Sequence, residues 1–162
     1  KLLVEQAVSQ LRAASAALAT LRNEMQSLAA SLPEYPVVMG MFGVGPALGP
    51  QLMAEIGDVR RFHSKKALVA FAGIDAPPYQ SGQMEVRSRS ISKRGSSALR
   101  RTLFLVMSVI LQHSPSDNPV YQFMDRKRTE GKPYRVYMMA SANKFLRIYY
   151  ATVKRHLDSL EA

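Results

Sequence analysis

Residues 2–31 carry the pattern that most narrows what this chain can fold into. Val4, Leu11, Leu18 and Met25 recur every seven residues, and Ala7, Ala14, Leu21 and Leu28 repeat the spacing three residues later. Two apolar series offset in this way place one a/d seam along a helix for about four heptads, which predicts a coiled-coil helix over 1–32. The alanines at two d positions suit a second use equally well, as an amphipathic helix packed on its own domain. Pro33 and Pro36 are expected to end it.

The remaining residues, 33–162, read as one compact helical domain. Gly43-Val44-Gly45 opens a predicted helix from Pro46 to Ile56, with Gly57 as its C-cap. Glycine, hydrophobe, glycine ahead of a helix resembles the helix-hairpin-helix DNA-binding element, where backbone N–H groups of Gly43 and Gly45 approach a phosphate. The same turn can simply start a helix. Arg60 and Arg61 follow. Ser64 is placed to cap a helix over Lys65–Ala72. Residues Tyr79–Ser92 read as a loop or short irregular hairpin, because Pro77, Pro78 and Gly82 break regular structure. A helix over Ser96–Gln112 is predicted from the stripe Leu99, Leu103, Val106 and Ile110. Another starts at Asn118-Pro119 and stops at Gly131. The last, Pro133–Leu157, should bury Tyr137, Met138, Phe145 and Ile148. The fold class expected is all-α.

Charge and composition narrow the chemistry. The net charge of +10 over 162 residues points to a polyanionic partner, nucleic acid first and an anionic membrane surface second. No apolar run is long enough to span a bilayer, and the amphipathic N-terminal stretch does not read as a signal peptide. The chain starts at Lys1, not at Met, and is expected to be a piece of a longer protein. Without cysteine there is no disulfide, thiolate zinc site or cysteine nucleophile, which suits a reducing cytoplasm. His63, His113 and His156 lack metal-ligand spacing, and Glu55 with Asp58 reads as solvated surface, so no metal site is expected within the chain. Walker, dinucleotide and GxSxG patterns are absent too.

One serine stands out. Ser81-Gly82 precedes Arg87, Arg89, Lys93, Arg94, Arg100 and Arg101, a run of six cations opposed only by Glu85. Serine is a weak nucleophile unless a base, a metal or a positive field assists it, and arginine's planar fork suits phosphate oxygens. On residue types alone, Ser81 is equally a turn serine, and the cations a phosphate clamp without chemistry.

Three stretches then carry a resemblance: "FAGIDAPPYQSGQ", "RSRSISKRGSSALRRTLF" and "NPVYQFMDRKRTEGKPYRVYMMASANKFLRIYY". From about Val37 to Leu157 the chain resembles the C-terminal domain of the bacterial insertion-sequence transposases with an Asp-Glu-Asp-Asp catalytic domain (the one-ten and one-sixteen group). The specific parts are Gln80-Ser81-Gly82, Ile91 to Gly95, Leu99-Arg100-Arg101, Asn118-Pro119 and Gly131-Lys132. The resemblance implies an N-terminal ribonuclease-H/RuvC-like domain whose acidic residues bind magnesium, a coiled-coil linker matching 2–31, and a C-terminal domain whose serine acts on DNA. By that match Ser81 is the nucleophile, and Arg87, Lys93, Arg94 and Arg100 are its basic surroundings. The acidic domain is missing here, so the chain alone is not expected to cut DNA. The implied partners are DNA, a structured guide RNA as in some members, and further copies through residues 2–31, in a bacterial cytoplasm. The rival readings are a non-catalytic DNA- or RNA-binding module and a dimerisation module.

Overall fold

The computed structural model describes residues 1–76, 80–81, 84–85 and 90–161, with backbone alone at 80–81 and 84–85. Seven helices and one short 3-10 turn make up the described residues: α1 Leu2–Ala30, α2 Tyr35–Met39, α3 Leu48–Ile56, the turn Val59–Arg61, α4 Lys65–Ala72, α5 Ser97–His113, α6 Pro119–Thr129 and α7 Tyr134–Leu160. A two-residue antiparallel ladder, β1 Gln80–Ser81 with β2 Met84–Glu85, is the only extended pairing among them. The fold is all-α.

Two long helices form the centre. α5 buries Leu99, Leu103, Val106 and Ile110 completely, as its i, i+4, i+7 stripe dictates, and α7 crosses it with Met138, Ala142, Leu146 and Tyr149. α3 and α4 cover α5 and α7, and α6 closes the end of α7. The caps follow local chemistry. Ser64 Oγ accepts from Ala67 N–H, Ser96 Oγ from Leu99 N–H, and Asn118 Oδ1 from the N–H groups of Val120 and Tyr121, each satisfying a donor that a helix start leaves over. Gly57 ends α3 at a positive φ of 62°, a region open to glycine.

Four expectations need correction. Pro36 does not only follow a helix but starts one, sitting in the first turn of α2, where its missing N–H costs nothing. α3 begins at Leu48, two residues later than predicted, because Pro46 and Ala47 lie in a turn. On α7, Tyr149 occupies the core and Ile148 is half-buried, a phase error of one residue, or about 100°. Glu55 is not solvated surface: it is half-buried and accepts a hydrogen bond of 2.9 Å from Ser96 Oγ.

α1 does not fold back on its domain. Of its 29 residues only Ala29 is buried, and the seam residues Leu11, Leu21 and Leu28 are 68%, 58% and 72% exposed. No helix among the described residues is long and apolar enough to cross a membrane.

The contrast between seam and core is measurable. Leu103→Ala should lower unfolding stability by about 2–5 kcal/mol in urea titration, since its side chain is wholly enclosed. Leu11→Ala should change it by less than about 0.5 kcal/mol at concentrations where the chain is monomeric. Similar losses for the two would show that α1 packs on its domain.

Candidate nucleic-acid interface

The segment leaving α4 and the segment entering α5 run antiparallel and touch. Ser96 N–H donates to Phe71 O at 2.7 Å, Lys93 N–H to Gly73 O at 2.9 Å and Ser92 N–H to Asp75 O at 2.9 Å. The approach is close enough that a Cβ on Gly95 would lie 1.9 Å from Phe71 O, so no other residue fits there. Arg100 locks the pair from one side: its Nη1 donates to Ala72 O and Gly95 O, both at 3.0 Å. Ser92 Oγ adds a bond to Asp75 Oδ1.

Beside this junction α5, α6 and α7 enclose a cleft of about 1090 Å³. Six cations line it: Lys93, Arg100, Arg101, Arg135, Lys144 and Arg147. No carboxylate does, among the described residues. The rest of the lining includes Phe104, Phe123, Val136 and Met139, with the Lys144 ammonium 5.2 Å from the Phe123 ring centre.

Five of the acids are engaged in ion pairs away from the cleft lining. Arg60 pairs with Asp58 and Glu161, Lys127 with Glu130, Arg128 with Asp125, and Lys154 with Asp158. The hydrogen bonds from Arg60 hold the Asp58 carboxyl below its usual range, and the bond from Lys127 does the same for Glu130. These five acids thus neutralise cations beside them, and none of the five lines the cleft. Six like charges around one concavity focus an attractive potential for polyanions.

The sites expected from sequence fall in different places. Lys93 and Arg101 are exposed and line the cleft. Arg100 lines it too, but half-buried and with one nitrogen committed to the junction. Arg94 is exposed outside the lining. Gly43 and Gly45 are not part of the cleft. Gly43, at φ 84°, lies against α5, where a Cβ would meet Ile110 Cγ1 at 2.7 Å, whereas Gly45 faces open space. Arg60 and Arg61 serve the fold: Arg61 Nε donates to Ile56 O, and its guanidinium lies 4.6 Å and 4.8 Å from the Phe62 and Phe71 ring centres. Arg87 and Arg89 lie outside the described residues. Ser81 pairs with Met84 in the ladder. Ala76 and Ser90, where the loop carrying Ser81 departs and returns, both line the cleft. Five residues of chain reach at most about 18 Å, so the Ser81 backbone stays within that distance of Ala76.

Sequence reasoning missed Arg135, Lys144, Arg147 and the two phenylalanines. A signal existed: Arg135, Met139, Asn143 and Arg147 recur at i, i+4 and share one face of α7.

Lys93 adopts a left-handed backbone, φ 56°, which an L side chain enters only at a cost. Lys93→Gly should therefore raise unfolding stability by about 1 kcal/mol in urea titration while eluting from heparin at lower salt. Unchanged elution would remove Lys93 from the polyanion-facing set.

Comparison with known proteins finds a family match that includes the α4–α5 junction and the α5 side of the cleft. The Transposase IS116/IS110/IS902 family matches residues 35–122. The chain is 30% identical over 135 residues to the pilin gene-inverting protein of Moraxella bovis, covering 83% of the chain and 38% of that protein. It is 27% identical over 139 residues to the transposase for insertion sequence element IS1111A of Coxiella burnetii, covering 86% and 38%. A probable family 20 transposase of Pseudomonas aeruginosa is 24% identical over 153 residues, covering 94% and 45%. The chain spans less than half the length of these relatives.

Proposed function

The chain belongs to the IS116/IS110/IS902 transposase family, and on that premise we propose that it is the part of a DNA recombinase that grips DNA and supplies the attacking serine. The observation that carries the reading is the basic cleft, free of acids among the described residues, with Ala76 and Ser90 on either side of the Ser81 segment in its lining. The relatives' names, one a gene-inverting protein and others transposases, support DNA as the substrate. A bacterial cytoplasmic setting belongs to the same proposal.

In the proposed reaction Ser81 Oγ attacks a phosphodiester phosphorus. Its proton passes to a base or to solvent, the new O–P bond forms, and the bond from phosphorus to one bridging oxygen breaks. That oxygen takes up a proton and leaves as a deoxyribose hydroxyl, so the product is a phosphoserine link and one free strand end. Guanidinium and ammonium groups at the cleft would hold the non-bridging oxygens and offset the charge that grows on them. Magnesium finds no seat in the described residues, among which no group of three or more His, Asp or Glu side chains could hold a metal. We assign it to acidic residues outside this chain and route no step through it.

Ser81→Ala in the full-length protein should abolish recombination, leave DNA affinity within about twofold, and change stability by less than about 1 kcal/mol. Digestion of a trapped adduct should map DNA to Ser81. Recombination by the Ser81→Ala protein, or an adduct on Ser88, Ser90 or Ser92, would leave the cleft as a phosphate clamp without chemistry.

The exposed seam of α1 supports a second part of the proposal, self-association through residues 2–31. Sedimentation of the chain with Leu11, Leu18 and Leu21 changed to Asp should show monomer where the parent shows an oligomer. Identical sedimentation of the two would end this assignment.

A further inference from the structure

A cleft that only gripped duplex phosphates would need cations and little else. This one also has an apolar part to its lining, at the junction between elements, where Phe104 of α5, Phe123 of α6 and Val136 and Met139 of α7 meet the same cleft. Phe104 is half-buried and held edge-on by Tyr134, with ring centres 6.0 Å apart and planes at 82°. In a duplex the base faces are stacked away, and only edges and phosphates meet a protein. That apolar part would then stay in contact with water. The volume of about 1090 Å³ is enough to take a nucleotide. An unstacked base with its own phosphates suits both kinds of lining, apolar and cationic.

Asn143 adds a means of reading the base. It lies in the cleft wall on α7, half-buried, with Ala140 leaving room beside it, and its amide is bonded to no other described residue. A carboxamide so placed offers one acceptor and two donors to a base edge. Cations at both ends of the same stripe, Arg135 and Arg147, stand where the flanking phosphates would run.

We infer that the cleft takes an unpaired DNA nucleotide, its base against Phe104 with Asn143 at its edge and its flanking phosphates at the cationic lining. The inference rests on the proposed function and deepens it: the DNA that this domain holds is locally opened, as strand exchange requires. Aromatic stacking of one base is worth enough to set a preference of roughly tenfold.

The experiment measures anisotropy of the full chain with a short labelled DNA strand, the same strand annealed to its complement, and the same strand with abasic positions, all at matched salt. The single strand should bind roughly tenfold tighter than the duplex, and the abasic strand should lose that advantage. Phe104→Leu, which keeps apolar volume and removes the aromatic face, should weaken single-strand binding roughly tenfold with the slope against log salt unchanged. If that variant melts early, Asn143→Ala decides, by narrowing the differences in affinity among homopolymer strands. Equal affinity for single strand and duplex, or no effect of the decisive variant, overturns the inference while leaving the phosphate grip intact. Absence of salt-dependent binding to any of the three DNAs would instead overturn the proposed function.

Discussion

The contact between Gly95 and the end of α4 sets the geometry on which the rest of this domain depends. Ser96, the next residue, ties three helices at one point. Its N–H bonds Phe71 O of α4, its Oγ caps α5 through Leu99 N–H, and the same oxygen donates to Glu55 of α3. Such a knot is possible only if backbone meets backbone, and a single methyl group at Gly95 would collide with a carbonyl that cannot move away. Arg100 completes it by satisfying Ala72 O, one of the carbonyls that the end of α4 leaves without an intrahelical partner. A residue chosen by sequence as a phosphate ligand thus also serves as a structural clamp. The two roles are compatible, because one Nη1 leaves the other guanidinium N–H groups for the cleft.

Charge is distributed as deliberately as volume. Where α6 and α7 face outward, cations have acids three or four residues away, Lys127 with Glu130 and Lys154 with Asp158. Exposed pairs of this kind contribute little to stability. The α7 stripe of Arg135, Met139, Asn143 and Arg147 has no acid at either spacing. A helix with one face in the core and another in the cleft must place its apolar residues on two sides, which explains why Met139 and Val136 depart from a simple amphipathic pattern.

Local signals were the legible ones. Serine and asparagine caps, the proline at the start of α6 and the α5 stripe all act within one or two turns, so their reading required no knowledge of the fold. The heptads of α1 were legible as a seam, while the choice between a partner and its own domain was not, since alanine suits both. The cleft was illegible for a different reason: it is assembled from α5, α6, α7 and the α4–α5 junction, whose proximity only tertiary packing creates. Gly95 was visible as part of a motif, but its cause, a carbonyl contributed from twenty-four residues earlier, was not. The nucleophile role given to Ser81 came from resemblance alone, since a serine before a basic run has no chemistry that spacing by itself dictates.

Two unpartnered surfaces remain on a domain whose core needs neither. The α1 seam, on a helix of 29 residues and so about 44 Å long, exposes leucine and alanine to water. The cleft exposes six cations. Covering the first excludes water from apolar surface, a gain that salt leaves unchanged or strengthens. Filling the second releases counterions, a gain that salt removes steeply. The proposed assembly through the seam and the proposed nucleic-acid binding at the cleft would therefore draw on separate driving forces and respond differently to ionic strength. Placing them on different elements lets each be satisfied without the other, and the helical core of α5 and α7 stays folded in every combination because none of its buried residues belongs to either surface.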